Sequence, residues 1–273
     1  MIRVLFSDVD RTLLTHGYEL LPEVFQAVSA ARESGIDVIL ATARPPMAVL
    51  PYAERLGTTD MCICLNGAWV GGLRDGEATI LGQVPHDVID EVVEMSAPVG
   101  VELLFYTATE IYTPRITPAV LTHCKRTGEV ANEIADVRQI RGPVLKVLCI
   151  STLPDANAVF RKIGESIGDK AACAKSRADL LEITDSKVSK GRAVAEIARQ
   201  RELVRSECAA IGDSDNDLSL LAWADVKLTV DNAMPAIKRI APLHFASCDV
   251  GGMAQAIAYL QARNRSEQYR SAQ

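Results

Sequence analysis

Short apolar runs alternate with helix-spaced segments twice along this chain, over residues 2–66 and again over 189–262, and a stretch of different rhythm separates the two. The chain opens with IRVLFS (2–7), an apolar run ending in charge that suits a buried parallel strand. Residues 22–34 follow with helical spacing between Pro22 and Gly35. IDVILAT (36–42) predicts a second strand, 45–56 a second helix starting at Pro45-Pro46, and MCICLN (61–66) a third strand. This β-α-β-α-β order argues for a doubly wound parallel sheet. The order returns with a helix over 189–202, the strand ECAAIGD (207–213), a helix over 215–222, the strand VKLTV (226–230) and a last helix over 252–262. The tail RNRSEQYRSAQ is polar and is expected to fray.

Between the two halves the periodicity changes. Residues 68–83 predict a hairpin with a turn at Arg74-Asp75-Gly76. From 84 to 184, candidate helices (87–97, 117–127, 154–167) mix with candidate strands (101–106, 110–113, 144–151, 179–184). The expected organisation is therefore a Rossmann-like core of residues 1–83 and 185–273, interrupted by an α+β domain over 84–184.

Composition narrows what such a fold could serve. A formal net charge of −6 repels polyphosphate backbones, so nucleic acid is not expected as a partner. No apolar run approaches the roughly 20 residues that cross a bilayer, and the N-terminal run meets acid too early for a signal peptide. The expectation is a cytoplasmic protein with no membrane partner, monomeric or homodimeric. Seven cysteines without framework spacing read as buried small hydrophobes in a reducing compartment. The four histidines (16, 86, 123, 244) form no cluster in sequence and are expected as surface or core residues.

Four polar clusters fall where predicted core strands end, which is where open α/β sheets bind ligands. Asp8-Val9-Asp10-Arg11-Thr12 follows the first strand, with two carboxylates on one side of an extended chain. Such a pair suits a nucleophile, a general acid and a metal site together, or it is a solvated turn. Ala41-Thr42-Ala43-Arg44-Pro45 offers a hydroxyl and free N–H groups to an anion, though Thr before a helix also serves as a plain N-cap. Ser189-Lys190-Gly191 places a lysine in a first helical turn, against the helix dipole, where a phosphate partner would explain it as well as simple exposure does. Gly212-Asp213-Ser214-Asp215-Asn216-Asp217 sets hard oxygen ligands of the kind magnesium takes at the end of an apolar strand.

In this order the four clusters resemble the four motifs of the haloacid dehalogenase-like phosphatases, and the insertion between the second and third resembles the α+β cap of the Cof-type subgroup. The resemblance implies a magnesium-dependent phosphatase acting on a small phosphorylated metabolite, such as a sugar phosphate, through an aspartyl-phosphate. Carried over by position, Asp8 matches the nucleophile and Asp10 the general acid/base. Thr42 and the backbone of Ala43 match the phosphoryl-binding group, with Arg44 counted beside them; Lys190 matches the charge-balancing lysine and Asn216 a phosphate-contacting amide. The metal set implied is Asp213 with the Asp8 side chain and the Asp10 carbonyl, with Asp217 supporting it from the outer shell. Asn66 belongs to an Asn66-Gly67-Ala68 signature near the pocket. Arg11, Ala43 and Asp231 stand where the family usually carries glycine; none removes a catalytic group. Rival readings are a phosphomutase of related fold and a non-catalytic ligand-sensing member. A nucleotide binder of Rossmann type is disfavoured because no Gly-x-Gly-x-x-Gly follows the first strand.

Overall fold

The computed structural model describes residues 1–74 and 78–271. In chain order the elements are β1 (Val4–Ser7), α1 (Pro22–Glu33), β2 (Asp37–Ala41), α2 (Pro46–Leu56), β3 (Cys62–Cys64), β4 (Trp69–Gly71), β5 (Ala78–Ile80), α3 (His86–Ser96), β6 (Glu102–Tyr106), β7 (Ile111–Thr113) and α4 (Pro118–Thr127). They continue with β8 (Ala131–Glu133), β9 (Lys146–Ile150), α5 (Ala156–Ile167), β10 (Ala171–Arg177), β11 (Leu180–Asp185), α6 (Lys190–Gln200), β12 (Cys208–Gly212), α7 (Leu218–Trp223), β13 (Val226–Val230), α8 (Pro235–Ile240), β14 (Leu243–Phe245) and α9 (Gly252–Ser271).

These strands make two sheets. One has the order β14-β13-β12-β1-β2-β3-β4-β5, parallel from β14 to β3 and antiparallel at its hairpin end. β1 lies between β12 and β2, with Ser7 opposite Ile211 on one side and Leu40 on the other. That register brings the residues following β1, β2 and β12 to one sheet edge, although they are distant in sequence. The predicted doubly wound parallel sheet is what forms, because the runs VLFS, VILA and CAAIG are buried on both faces and need helices above and below.

The second sheet, β10-β11-β9-β6-β7-β8, is antiparallel except between β7 and β8. Strand alternation divides its faces. Leu103 and Phe105 of β6, Val147 and Cys149 of β9, and Leu181 and Ile183 of β11 pack with α3 and α5 in a core of their own. The intervening Tyr106, Lys146, Leu148 and Glu182 face the other way. Of these, Lys146, Leu148 and Glu182 line a cleft of about 770 Å³ that also holds Asp8 and Asp213 of the first sheet's edge.

The tail departs from expectation: rather than fraying after residue 262, α9 continues to Ser271. The Asn264 side chain explains part of this, accepting from the Ile2 N–H at 2.6 Å and donating to the Ile2 carbonyl at 2.7 Å. The terminal ammonium pairs with Glu267, which also meets Arg263 one turn back. Both anchors involve the other end of the chain, so no local pattern could announce them. Strands β8, β10 and β14 and helix α8 also had no predicted counterpart. The turn expected at Arg74-Asp75-Gly76 extends outside the described residues.

Candidate active site

The geometry of the first sheet's edge begins with β1. Asp8 donates its backbone N–H to the Ile211 carbonyl at 3.0 Å, extending the ladder by one residue and fixing its side chain beside β12. The carboxylate is 4% exposed. Lys190, at the first position of α6 and fully buried, reaches Asp8 Oδ1 at 2.6 Å and Asp217 Oδ1 at 2.6 Å. Asp217 Oδ2 in turn accepts the backbone N–H groups of Asp213 and Ser214, both at 3.0 Å. Both oxygens of Asp217 are therefore taken up within the protein, which leaves it a buttress for the Asp213 loop. Gly212 makes room for that buttress, since a Cβ there would lie 2.5 Å from the Asp217 carboxyl carbon. Gly67 is constrained likewise: it has φ +101°, and a Cβ would meet the Ser189 carbonyl at 2.4 Å, just before Lys190.

Three buried carboxylates, Asp8, Asp213 and Asp217, thus lie within 4.8 Å of one another, and two of them, Asp8 and Asp217, share one ammonium. Asp213 Oδ1 is 3.4 Å from the Thr12 hydroxyl, whereas its Oδ2 is buried without a hydrogen-bond partner; Arg11 Nε stands 3.7 Å away. The charge imbalance is felt by the acids. Burial, then the Asp217 carboxylate, raises Asp8 well above the usual carboxylate range, against the pull of Lys190 and with further push from Asp213 and Asp10. Asp213 is pushed up to about 7 by burial and Asp217, against Arg11 and Lys190. For Lys190, burial disfavours the charge, but Asp217 and Asp8 outweigh it and the ammonium is held firmly. An orphaned carboxylate oxygen beside a second acid, both destabilised as anions, fits a divalent cation of the hard, oxygen-binding kind.

This imbalance has a measurable consequence. In cation-free protein, folded Asp213 keeps its proton to about pH 7, while the unfolded chain loses it near pH 4. Between those values the folded state binds more protons, so stability falls as pH rises. The thermal midpoint of EDTA-treated protein is expected to decline from about pH 5 to about pH 8, and Asp213→Asn to flatten the slope. A midpoint that climbs over this range would contradict the charge balance described.

The remaining predicted residues separate into two groups. Thr42, fully buried after β2, accepts the Arg44 N–H at 3.1 Å through its hydroxyl oxygen, leaving the hydroxyl proton free to donate. Asn216 Nδ2 donates to Asn66 Oδ1 at 3.1 Å, and Ser214 Oγ to Asn216 Oδ1 at 2.8 Å. Asn66 Nδ2 donates to Glu182 Oε2 at 2.5 Å, tying the parallel sheet's edge to β11. The Ala43 carbonyl accepts from Lys146 Nζ of β9 at 2.7 Å. Asp10 and Arg44 form the other group. The Arg44 guanidinium, 4% exposed, grips the Asp10 carboxylate with Nε at 2.9 Å and Nη2 at 2.6 Å, between the rings of Tyr18 and Tyr52. Reading the sequence places Arg44 on phosphate; the structure places its charge on Asp10. Sequence reasoning missed Lys146 and Glu182 of the second sheet, and Glu129 on the connection between α4 and β8, which line the same cleft. A charge interrupting the apolar strands β9 and β11 was the signal that could have found the first two.

At Arg11 the backbone enters the left-handed region with φ +62°, which accounts for the glycine expected at this position. Its carbonyl accepts the Asn232 amide at 2.8 Å, one of the contacts holding it there. Asp231 is exposed and pairs with Lys238.

Residues 5–257 match the family model described as haloacid dehalogenase-like hydrolase. The pyridoxal phosphate phosphatase YbhA of Escherichia coli K12 is 27% identical over 93% of this chain and 97% of that protein. An HMP-PP phosphatase of E. coli O8 is 25% identical over 89% of each chain. Among solved structures, a haloacid dehalogenase-like hydrolase from Bacteroides thetaiotaomicron superposes with a TM-score of 0.86 over 95% of this chain and all of that one, at 23% identity.

Proposed function

Because the chain belongs to the haloacid dehalogenase-like hydrolases, we propose that it is a magnesium-dependent phosphatase that frees phosphate from a small phosphorylated metabolite through a covalent intermediate on Asp8. One observation carries the reading: the buried Lys190 ammonium bridges Asp8 and Asp217 while Asp213 Oδ2 beside them lacks a hydrogen-bond partner. The two bacterial relatives named above are phosphatases of small phosphorylated compounds, which supports the same substrate class.

In the proposed reaction, an Asp8 oxygen attacks phosphorus as the bond to the leaving oxygen breaks, and Asp10 supplies that oxygen with a proton. Water then attacks the phosphoaspartate and gives its proton to Asp10. The phosphorus–Asp8 bond breaks and inorganic phosphate departs. Lys190 offsets charge on the nucleophile and on the phosphoryl oxygens. The Thr42 hydroxyl and the second Asn216 amide proton are free to donate to those oxygens. Arg44 holds Asp10 by two contacts and so sets where its proton is delivered. Asp8, Asp213 and the Asp10 carbonyl would hold magnesium, which supplies positive charge to the transferring group. Asp217 serves that site through its grip on Lys190 and the Asp213 loop.

We assign residues 84–184 the part of a cap that covers the reacting atoms and meets the leaving group. Lys146 against the Ala43 carbonyl and Glu182 against Asn66 support this, because both join the second sheet to the catalytic edge. The test is phosphate release across a panel of phosphorylated metabolites, with and without magnesium. EDTA is expected to abolish release and added magnesium to restore it. Full activity in verified metal-free protein would sink the reading.

A further inference from the structure

His16, Cys248 and Asp249 lie 232 and 233 positions apart in sequence yet meet in space. His16 lies on the loop between Asp10 and α1; the other two sit on a short 3-10 turn, Cys248–Val250, ahead of α9. His16 Nδ1 is 2.8 Å from Asp249 Oδ2 and 3.5 Å from Cys248 Sγ, and the sulfur is 3.8 Å from Asp249 Oδ1. The thiol is buried, while the His16 and Asp249 side chains are 46% and 48% exposed.

One feature of the geometry separates two chemistries. In a nucleophile–histidine–acid relay, the thiol and the carboxylate engage opposite nitrogens of the ring. Here sulfur and carboxylate both converge on Nδ1, so no relay can run through the imidazole. Convergent donors are what a cation needs. Tetrahedral zinc, with bonds of about 2.0 Å to nitrogen and 2.3 Å to sulfur, sets those two atoms about 3.5 Å apart. The Cys248–His16 distance has that value. The shorter nitrogen–oxygen distance would open by about half an ångström, which the two exposed side chains permit.

The donors are also supported from behind, as metal ligands are. Asp249 Oδ1 accepts the His16 N–H at 2.9 Å, leaving Oδ2 for a cation. The Cys248 N–H donates to Asn232 Oδ1 at 2.8 Å, and the Asn232 amide donates to the Arg11 carbonyl. We propose that His16, Cys248 and Asp249 form a second cation site, distinct from the all-oxygen Asp8 centre, that takes zinc or a comparable borderline divalent ion. A sulfur, nitrogen and oxygen set of this kind disfavours magnesium and calcium. Three protein ligands leave a fourth position for water. A bound ion would staple the loop carrying Tyr18 to the start of α9. Tyr18 lies over Arg44, which holds Asp10, so the staple bears on the placement of the acid/base group.

The test is titration of the full-length, reduced, metal-stripped protein with Co2+, read by absorption. A thiolate–cobalt charge-transfer band in the near ultraviolet, saturating at one equivalent, is expected; the Asp8 centre contains no sulfur and cannot produce it. Cys248→Ser should abolish the band. His16→Ala and Asp249→Asn, both at exposed positions, should each weaken Zn2+ binding by at least about 100-fold, beyond the usual loss from an outer-shell change. Absence of the band, its survival in Cys248→Ser, or Zn2+ affinity unchanged in both exposed variants would overturn the site and leave an ordinary His16–Asp249 hydrogen bond beside a buried thiol.

Discussion

Asp8→Asn is expected to reduce phosphate release to the background rate, a loss of about 10⁴-fold or more, because the amide keeps the shape of the side chain and removes the attacking oxygen. No phosphoenzyme should form. Asp10→Asn separates the two proposed roles. It leaves Asp8 and its Lys190 contact in place, so a substrate with a good leaving group should still phosphorylate the enzyme and then stall before hydrolysis. Rapid quench followed by mass spectrometry of the peptide containing residue 8 reads both outcomes. Phosphate on any other residue, or normal turnover in Asp8→Asn, would refute the covalent route.

The second large effect is expected at Lys190. Replacing it by Met retains much of the volume but leaves Asp8 and Asp217, with Asp213 beside them, without the ammonium. Removing one partner of a fully buried charge cluster costs about 3–5 kcal/mol, because the remaining charges stay desolvated. At this size that corresponds to a fall of about 10 °C in thermal midpoint. Phosphate release should be lost as well. Acid should recover part of the stability, since protonating the crowded carboxylates relieves the same repulsion. A Lys190→Met protein with an unchanged midpoint would show that the cluster is not energetically coupled. A lowered midpoint with normal phosphate release would confine Lys190 to a structural role.

How much of this could be read from the chain alone varies with the range of the interaction. The strands β1, β2, β12 and β13 were legible because each is a continuous apolar run between turn or helix signals. Asp8, Thr42 and Asp213 were legible as strand-end residues for the same reason. β8 escaped because it is short and mostly exposed, and β10 because it pairs along one side only, with β11. Helix α9 beyond residue 262 escaped because its anchor, Asn264 on Ile2, spans nearly the whole chain.

The periodicity of each segment, set by local sterics and by which face must leave water, determined the parallel sheet, the break over the middle of the chain and the strand ends that carry the polar clusters. Tertiary structure alone decided who meets whom at those ends. The register of β1 between β12 and β2 carries Asp8 to Asp213, and the fold of α6 and α7 sets Lys190 between Asp8 and Asp217. It also turned Arg44 onto Asp10, brought Glu182 to Asn66, and gathered His16, Cys248 and Asp249. The contacts that Lys190, Arg44, Glu182 and His16 make here join residues at least 27 positions apart. No window of sequence contains both partners, so their meeting depends on strand order and register, which only the folded chain specifies.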